Sequence, residues 1–127
     1  MHNRPPKKDV LIVDDDDKNI FALSAVLQSK GYHCLTAKSA LEGMKILKNR
    51  PHIGIILMDM MMPEMDGYQA IAEIKQIPSL KKIPIVAVTA QAMEGDREKC
   101  LNAGASAYLS KPVNMDHLLL TLKQYHR

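Results

Sequence analysis

The amino-acid sequence predicts an α/β domain with a doubly wound parallel sheet of five strands, in the order 2-1-3-4-5, and five helices. Short apolar runs rich in β-branched residues alternate with longer segments of helical spacing along the chain. Such alternation is typical of right-handed crossovers and of a parallel sheet covered by helices on both faces. The chain has 127 residues, 46% hydrophobic and 24% charged, which indicates one soluble globular domain.

Five short runs are the predicted strands. In chain order they are VLIV at 10–13, HCLTA at 33–37, IGIIL at 53–57, IPIVAV at 83–88 and SAYL at 106–109. The first, third and fourth runs are apolar throughout, which predicts central strands buried on both faces. The second run contains His33 and Thr36, and we therefore expect it at an edge of the sheet.

The segments between the runs carry apolar residues at helical spacing. Four sets show it: Ile20, Leu23 and Leu27; Leu41, Met44 and Leu47; Ala70, Ile71 and Ile74; and Met115, Leu118, Leu119 and Leu122. Residues that favour helix starts precede these sets, namely Asp16 or Asp17, Ser39 with Glu42, Asp66 with Gln69, and Asn114. Gly31 and Gly104 stand where a glycine often ends a helix.

Polar side chains follow the predicted strands at their carboxyl ends, where doubly wound sheets bind ligands. Asp14 and Asp15 follow the first strand, Asp59 the third, Thr89 the fourth and Lys111 the fifth. Carboxylates on adjacent central strands repel each other unless a cation lies among them. Mg²⁺ suits a site with few carboxylates and a phosphate oxygen. The pattern therefore predicts a Mg²⁺ site and phosphoryl chemistry.

Structural explanations exist for single members of this set. A strand-end aspartate is often a helix cap, and a threonine or lysine after a strand is often a turn or surface residue. The joint arrangement favours a site. The methionines around Asp59 raise the alternative of a copper site, but core filling around a loop explains them better. Cys34 and Cys100 lack disulfide or metal spacing, and we interpret them as packed thiols.

Four motifs stand in a characteristic order: LIVDDD at 11–16, MDMMMPEMDG at 58–67, VTA at 88–90 and YLSKP at 108–112. Together they resemble the receiver domain of two-component response regulators over about residues 9–125. The sequences of the second motif and of the segment from VTA to YLSKP are most similar to those of receivers in hybrid sensor histidine kinases. The resemblance implies a flavodoxin-like fold, with 9–127 as the receiver domain. We expect residues 1–8, which precede the first strand, to be a flexible lead-in.

The resemblance also implies which residues bind the phosphoryl group and the metal. Asp59 would be the phosphoacceptor, a carboxylate nucleophile that forms an acyl phosphate. Asp15 and Asp59 would bind Mg²⁺ directly and Asp14 would bind it through water. The backbone carbonyl of Met61 would complete the protein ligands, and Mn²⁺ could replace Mg²⁺.

Further roles implied by the resemblance concern the signal. Lys111 would pair with the phosphoryl group, aimed inward by a cis peptide before Pro112. The Thr89 hydroxyl would donate to the attached group, and Tyr108 would be the switch aromatic. The face of the fourth helix, fifth strand and fifth helix would change on phosphorylation. Gln91 could tune dephosphorylation.

The partners follow from the same resemblance. We expect a histidine kinase or a histidine phosphotransfer domain as phosphodonor, and a homodimer through the switching face as one mode of output. Scattered basic residues, no Trp and one Phe argue against direct nucleic-acid binding. No apolar run approaches the roughly 20 residues of a membrane span, so we expect no membrane contact by this segment.

The context of the segment has two interpretations. It is either a stand-alone cytoplasmic receiver or the cytoplasmic receiver of a membrane-bound hybrid kinase. The segment ends just past the last predicted helix, and its motifs resemble those of hybrid-kinase receivers. Both observations slightly favour the second interpretation.

Two other classes of function stay open at this point. An aspartate-nucleophile phosphatase of the haloacid-dehalogenase type would usually carry a second Asp two residues after the nucleophile, where this chain has Met61. A phosphate-independent interaction module need not keep the whole set of strand-end residues. Phosphoryl acceptance without turnover of external substrates is therefore the leading hypothesis.

Overall fold

A computed structural model describes residues 8–49, 52–90 and 94–126 and shows strands and helices in alternation. The elements are β1 Asp9–Val13, α1 Asp17–Ser29, β2 Cys34–Ala37, α2 Ala40–Asn49, β3 Ile53–Asp59, α3 Gly67–Gln76, β4 Ile85–Thr89, α4 Asp96–Ala103, β5 Ala107–Ser110 and α5 Met115–Tyr125. The strands pair in parallel in the order β2-β1-β3-β4-β5. The predicted fold class and strand order are confirmed. Apart from Lys8, the predicted lead-in lies outside the described residues.

Burial along the strands follows their position in the sheet. Every residue of β3 and β4 is buried, whereas β2 has two half-buried residues, buries Ala37 and exposes Thr36, as expected for an edge strand. β4 begins at Ile85, two residues later than predicted. Pro84 has no N–H for the strand pairing, although its carbonyl accepts a hydrogen bond from the Ile56 N–H at 2.9 Å.

The core consists of two apolar layers, one on each face of the sheet, because successive strand residues point to opposite faces. Side chains such as Ile55 and Leu57 pack with residues of α1 and α5, and Ile56 and Met58 pack with residues of α2, α3 and α4. The second layer also buries Met60 and Met62, as core filling predicts. Met61 differs from its neighbours, with 50% of its surface exposed.

The predicted helix starts are present and place α1, α3 and α5 relative to the strand ends. The Asp16 carboxylate accepts from the Lys18 N–H at 3.0 Å, and the Asn114 side chain accepts from the His117 N–H. Asp66 and Gln69 form the expected reciprocal capping box. Because Asp16 caps α1, this helix begins directly beside the end of β1.

The start of α2 differs in one detail from the predicted capping box. The Glu42 N–H donates to Ser39 Oγ at 3.1 Å, but the Glu42 carboxylate accepts from the Lys38 N–H and not from the Ser39 N–H. The longest described helix, α1, has 13 residues, and no helix in the described part of the chain is long and apolar enough to cross a bilayer.

Candidate functional site

Three aspartates meet at the carboxyl ends of two adjacent central strands. β1 and β3 pair with Val13 opposite Met58, so the residues that follow lie side by side. One carboxylate oxygen from each of Asp14, Asp15 and Asp59 lies within 4.8 Å of the other two. Asp14 and Asp59 are each 2% exposed, whereas Asp15 is exposed. The cluster therefore has a buried floor and one side open to solvent.

A single lysine contacts both buried carboxylates. Lys111 Nζ lies 3.1 Å from Asp14 Oδ2 and 3.4 Å from Asp59 Oδ2. The expected cis peptide between Lys111 and Pro112 is present, and the Lys111 N–H donates to the Thr89 carbonyl at 2.8 Å. One ammonium balances only one of the negative charges, so the cluster keeps a net negative charge when its three carboxylates are ionised.

Hydrogen bonds orient the two buried carboxylates. Asp14 Oδ1 accepts from the Asp16 N–H at 2.9 Å, and Asp14 Oδ2 accepts from the Asn19 side-chain amide at 2.6 Å. Asp59 Oδ1 accepts from the Met61 N–H at 3.1 Å. Asn19 was not among the residues predicted from the sequence. Its position in the first turn of α1, five residues after Asp14, is the signal that could have indicated it.

The surroundings of the cluster change the acidity of its members. Burial raises the pKa of Asp59 to about 6, and the charge of Asp14 adds to the increase; the Met61 N–H and the Lys111 ammonium oppose it. Burial by itself would lower the pKa of Lys111, but Asp14 and Asp59 hold it above its ordinary value. Lys111 is therefore charged at neutral pH, and ionised Asp59 is an unfavourable state that a cation would stabilise.

Replacement of Asp59 by asparagine should stabilise the metal-free protein. Because the pKa of Asp59 is higher in the folded than in the unfolded chain, the free energy of unfolding falls as the pH rises from about 4 to about 6. At pH 7.5 in EDTA we expect Asp59→Asn to add about 1 kcal/mol to the free energy of unfolding, because the amide has no charge to bury, although its polar atoms still lose contact with water. Urea unfolding at several pH values measures this gain, which should vanish near pH 4.

A matched exposed acid is the control for that prediction. Asp116 lies exposed in the first turn of α5. Asp116→Asn should leave the free energy of unfolding unchanged or lower it slightly. An Asp59→Asn variant no more stable than the parent at pH 7.5 would contradict the argument that the cluster is destabilising.

The remaining predicted residues lie on the next two strands. Thr89 is buried and ends β4, next to β3, where Val88 pairs with Asp59. Tyr108 lies on β5, and its hydroxyl donates to Asp96 Oδ2 in α4 at 3.1 Å. Gln91 lies outside the described residues. The structure thus brings together Asp14, Asp15, Asp59 and Lys111, places Thr89 at the adjacent strand end, and connects Tyr108 to α4.

The side chains of the cluster fit a hard divalent cation. The ligands available are carboxylate oxygens, which Mg²⁺ prefers, and they gather without histidine or thiolate neighbours among the described residues. Two of the three are buried and already oriented by hydrogen bonds. The open side at Asp15 leaves room for retained water or for an oxygen of a bound group.

Comparison with known proteins agrees with this arrangement. The model of the response regulator receiver domain matches residues 10–123. The polar-differentiation response regulator DivK of Brucella ovis is 35% identical over 118 residues, which are 93% of this chain and 95% of that protein.

Solved structures agree as well. The receiver domain of the sensor histidine kinase PA1611 from Pseudomonas aeruginosa, with a magnesium ion in its active-site cleft, is 34% identical, with a TM-score of 0.85 over 94% of this chain and 97% of that one. The chemotaxis protein CheY4 of Vibrio cholerae, crystallised at low pH, is 30% identical, with a TM-score of 0.83 over 94% of this chain and 98% of that one. With the family model matched almost from end to end, this chain belongs to the response regulator receiver domain family.

Proposed function

We propose that Asp59 accepts a phosphoryl group from the phosphohistidine of a cytoplasmic histidine kinase or histidine phosphotransfer domain. Receiver domains of this family are phosphoaccepting modules of two-component signalling and interact with such partners. The observation that carries the proposal is the place of the Asp59 carboxylate, buried at the end of a central strand and in contact with Lys111. A buried, oriented carboxylate beside an ammonium is suited to attack phosphorus.

The transfer needs little from the protein beyond position and charge. One oxygen of Asp59 forms a bond to phosphorus while the bond from phosphorus to the donor imidazole nitrogen breaks. The imidazole leaves with the electron pair of that bond and takes a proton from solvent. Lys111 neutralises charge on the phosphoryl oxygens, and Thr89 donates its hydroxyl to the attached group.

The acidic cluster is our proposed Mg²⁺ site. Asp15 and Asp59 would hold the ion directly and Asp14 would hold it through water, with the Met61 carbonyl as the remaining protein ligand. Mn²⁺ could replace Mg²⁺. Mg²⁺, when bound, supplies positive charge for the phosphoryl oxygens during transfer. The proposal is supported by the grouping of three carboxylate oxygens and by the magnesium ion in the similar receiver of Pseudomonas aeruginosa.

Incubation with acetyl phosphate and Mg²⁺ separates the three classes of function. A phosphoacceptor gains one phosphoryl group per chain and releases acetate in proportion to its own amount, apart from slow hydrolysis. A phosphatase hydrolyses a large excess of donor at a steady rate and also accepts unrelated phosphomonoesters. An interaction module shows neither change. Intact-mass spectrometry and an assay of released phosphate distinguish these outcomes, and we expect the first.

We further propose that phosphorylation changes the surface of α4, β5 and α5, the switching face. The new negative charge attracts the Thr89 hydroxyl, and Tyr108 on the adjacent strand then turns inward, which shifts a population between two existing states. Partners or a second copy of the chain read the changed face. Support for this idea comes from the position of Tyr108, which contacts α4 directly. If the NMR signals of Tyr108 and α4 do not move on phosphorylation, the switching proposal is wrong. Asp59 would then only carry a phosphoryl group from one protein to the next in a phosphorelay.

A further inference from the structure

Side chains from three different elements meet on the side of the sheet that faces α3 and α4. Tyr68 lies in α3, Asp96 in α4 and Tyr108 on β5. The Tyr68 hydroxyl donates to Asp96 Oδ1 at 3.2 Å, and the Tyr108 hydroxyl donates to Asp96 Oδ2 at 3.1 Å. Each oxygen of one carboxylate therefore serves a different phenol. We call this group of three residues the tyrosine latch.

The environment of the latch keeps both phenols as donors. Burial raises the pKa of the Tyr68 and Tyr108 hydroxyls, and the negative charge of Asp96 adds to the increase. Both hydroxyls therefore carry their protons at neutral pH. At 3.1 and 3.2 Å the two bonds are longer than the shortest bonds to a carboxylate, but the negative charge of the acceptor still makes them stronger than bonds of the same length between neutral groups. The two bonds are thus of the kind that can bias a conformational equilibrium.

The latch also anchors the beginning of α4. Gly95 precedes this helix and offers no side chain to cap it. Tyr68 makes two further contacts, since Lys99 Nζ lies 4.6 Å from its ring centroid and its hydroxyl lies 3.6 Å from the buried Cys100 Sγ. Through Asp96, Tyr108 is connected to a well-packed part of α3 and not only to the first turn of α4.

We infer that Asp96 is a positioning residue that holds Tyr108 in its resting place and opposes the phosphorylated state. The inference rests on the proposed function in one respect, namely that Tyr108 turns inward when Asp59 carries a phosphoryl group. For that movement the Tyr108 hydroxyl must leave Asp96, while Tyr68 keeps the carboxylate beside α3. The hydrogen bond from Tyr108 to Asp96 therefore stabilises the resting state relative to the activated state. Removal of this bond shifts the population toward the activated state.

The first experiment needs no phosphoryl group. The ring signals of tyrosine labelled with ¹³C report the four tyrosines of the chain, and a Tyr108→Phe variant identifies the Tyr108 signal. In Asp96→Ala without phosphodonor, we expect the Tyr108 signal to move while those of Tyr32 and Tyr125, which pack in the layer of α1 and α5, stay in place. The unchanged signals also show that the variant is folded.

Two further variants make this experiment decisive. Glu98→Ala removes an acid from the same first turn of α4 but leaves the latch intact, so the Tyr108 signal should not move. Asp96→Asn keeps one acceptor oxygen for two phenolic donors and should move the signal in the same direction by a smaller amount. A Tyr108 signal that stays at its parent position in both Asp96 variants would overturn the inference.

The second experiment measures how much the tyrosine latch lowers the affinity of the protein for a phosphoryl mimic. Beryllofluoride with Mg²⁺ serves as the phosphoryl mimic, and its apparent affinity is followed by titration. We expect Asp96→Ala to bind it about tenfold more tightly, because a net hydrogen bond to a charged group contributes a factor of roughly that size. Glu98→Ala should bind as the parent does. Equal affinities of Asp96→Ala and the parent would show that the latch does not oppose activation.

The results also separate this inference from the proposed function. A parent protein whose Tyr108 signal is insensitive to beryllofluoride would count against the switching face itself. The Tyr108 signal of the Asp96 variants without the mimic would still decide whether Asp96 holds that ring. If the parent responds and the Asp96 variants behave like it, the latch is wrong and the switch stands.

Discussion

Asp59→Asn should abolish covalent phosphorylation of the chain. The parent protein, incubated with acetyl phosphate and Mg²⁺, is expected to gain the mass of one phosphoryl group, and the variant is expected to gain none. The physical reason is that a neutral amide is a poor nucleophile toward phosphorus and cannot form the acyl phosphate. The variant should remain folded, because an asparagine oxygen can still accept the hydrogen bond from the Met61 N–H. Intact-mass spectrometry over a time course measures the outcome.

An exposed aspartate outside the cluster is the control for this experiment. Asp116→Asn also removes one carboxylate and should be modified at the parental rate. Peptide mapping of the labelled parent should place the added mass in the segment that contains Asp59. Undiminished labelling of Asp59→Asn would falsify the assignment of the acceptor.

Loss of the divalent cation should prevent labelling almost as completely. In EDTA the modification should stop, and Asp15→Asn with Mg²⁺ should be modified roughly 100-fold more slowly, since one electrostatic contribution to transition-state stabilisation is lost. Asp15 is exposed, so its replacement leaves the core intact. Asp17→Asn, two residues further along and outside the cluster, is the matched control and should behave as the parent does.

Metal binding can be measured without phosphorylation. At a Mg²⁺ concentration about tenfold above its dissociation constant, binding of the ion to the folded protein raises the free energy of unfolding by about 1.4 kcal/mol. For a domain of this size, that contribution raises the melting temperature by about 5 °C. The increase should be present in the parent and in Asp17→Asn and absent in Asp15→Asn. Labelling that continues unchanged in EDTA would exclude a metal requirement.

Local patterns in the sequence were sufficient for the fold. Runs such as IGIIL at 53–57 are apolar at every position, which is typical of a strand covered on both faces. Four of the five helical segments, all but α4, also carry their own capping residues. Both signals depend on neighbours within a few residues. The start of one strand differed from its apolar run: β4 starts at Ile85, not at residue 83, because Pro84 cannot donate to the adjacent strand.

The members of the site could also be read from the sequence, because parallel strands place their carboxyl ends at one edge of the sheet. Asp14, Asp59 and Lys111 each follow a predicted strand, and the structure confirms that they are in contact. Their chemical roles are part of the proposed function, and the variants above test them.

Only the tertiary structure decided which atoms meet. The sharing of Asp96 between Tyr68 and Tyr108 has no signal in the sequence. The position of Asn19 in the first turn of α1 was a weak signal, but no strand or helix period shows that its amide donates to Asp14. Tyr68 and Asp96 are 28 residues apart along the chain, and Asp96 and Tyr108 are 12 apart. Contacts at such separations depend on how α3, α4 and β5 pack on the sheet, and side-chain hydrogen bonds need atoms placed to within a few tenths of an ångström. A periodic pattern specifies the face on which a residue lies, whereas the packing of the whole domain specifies its partner.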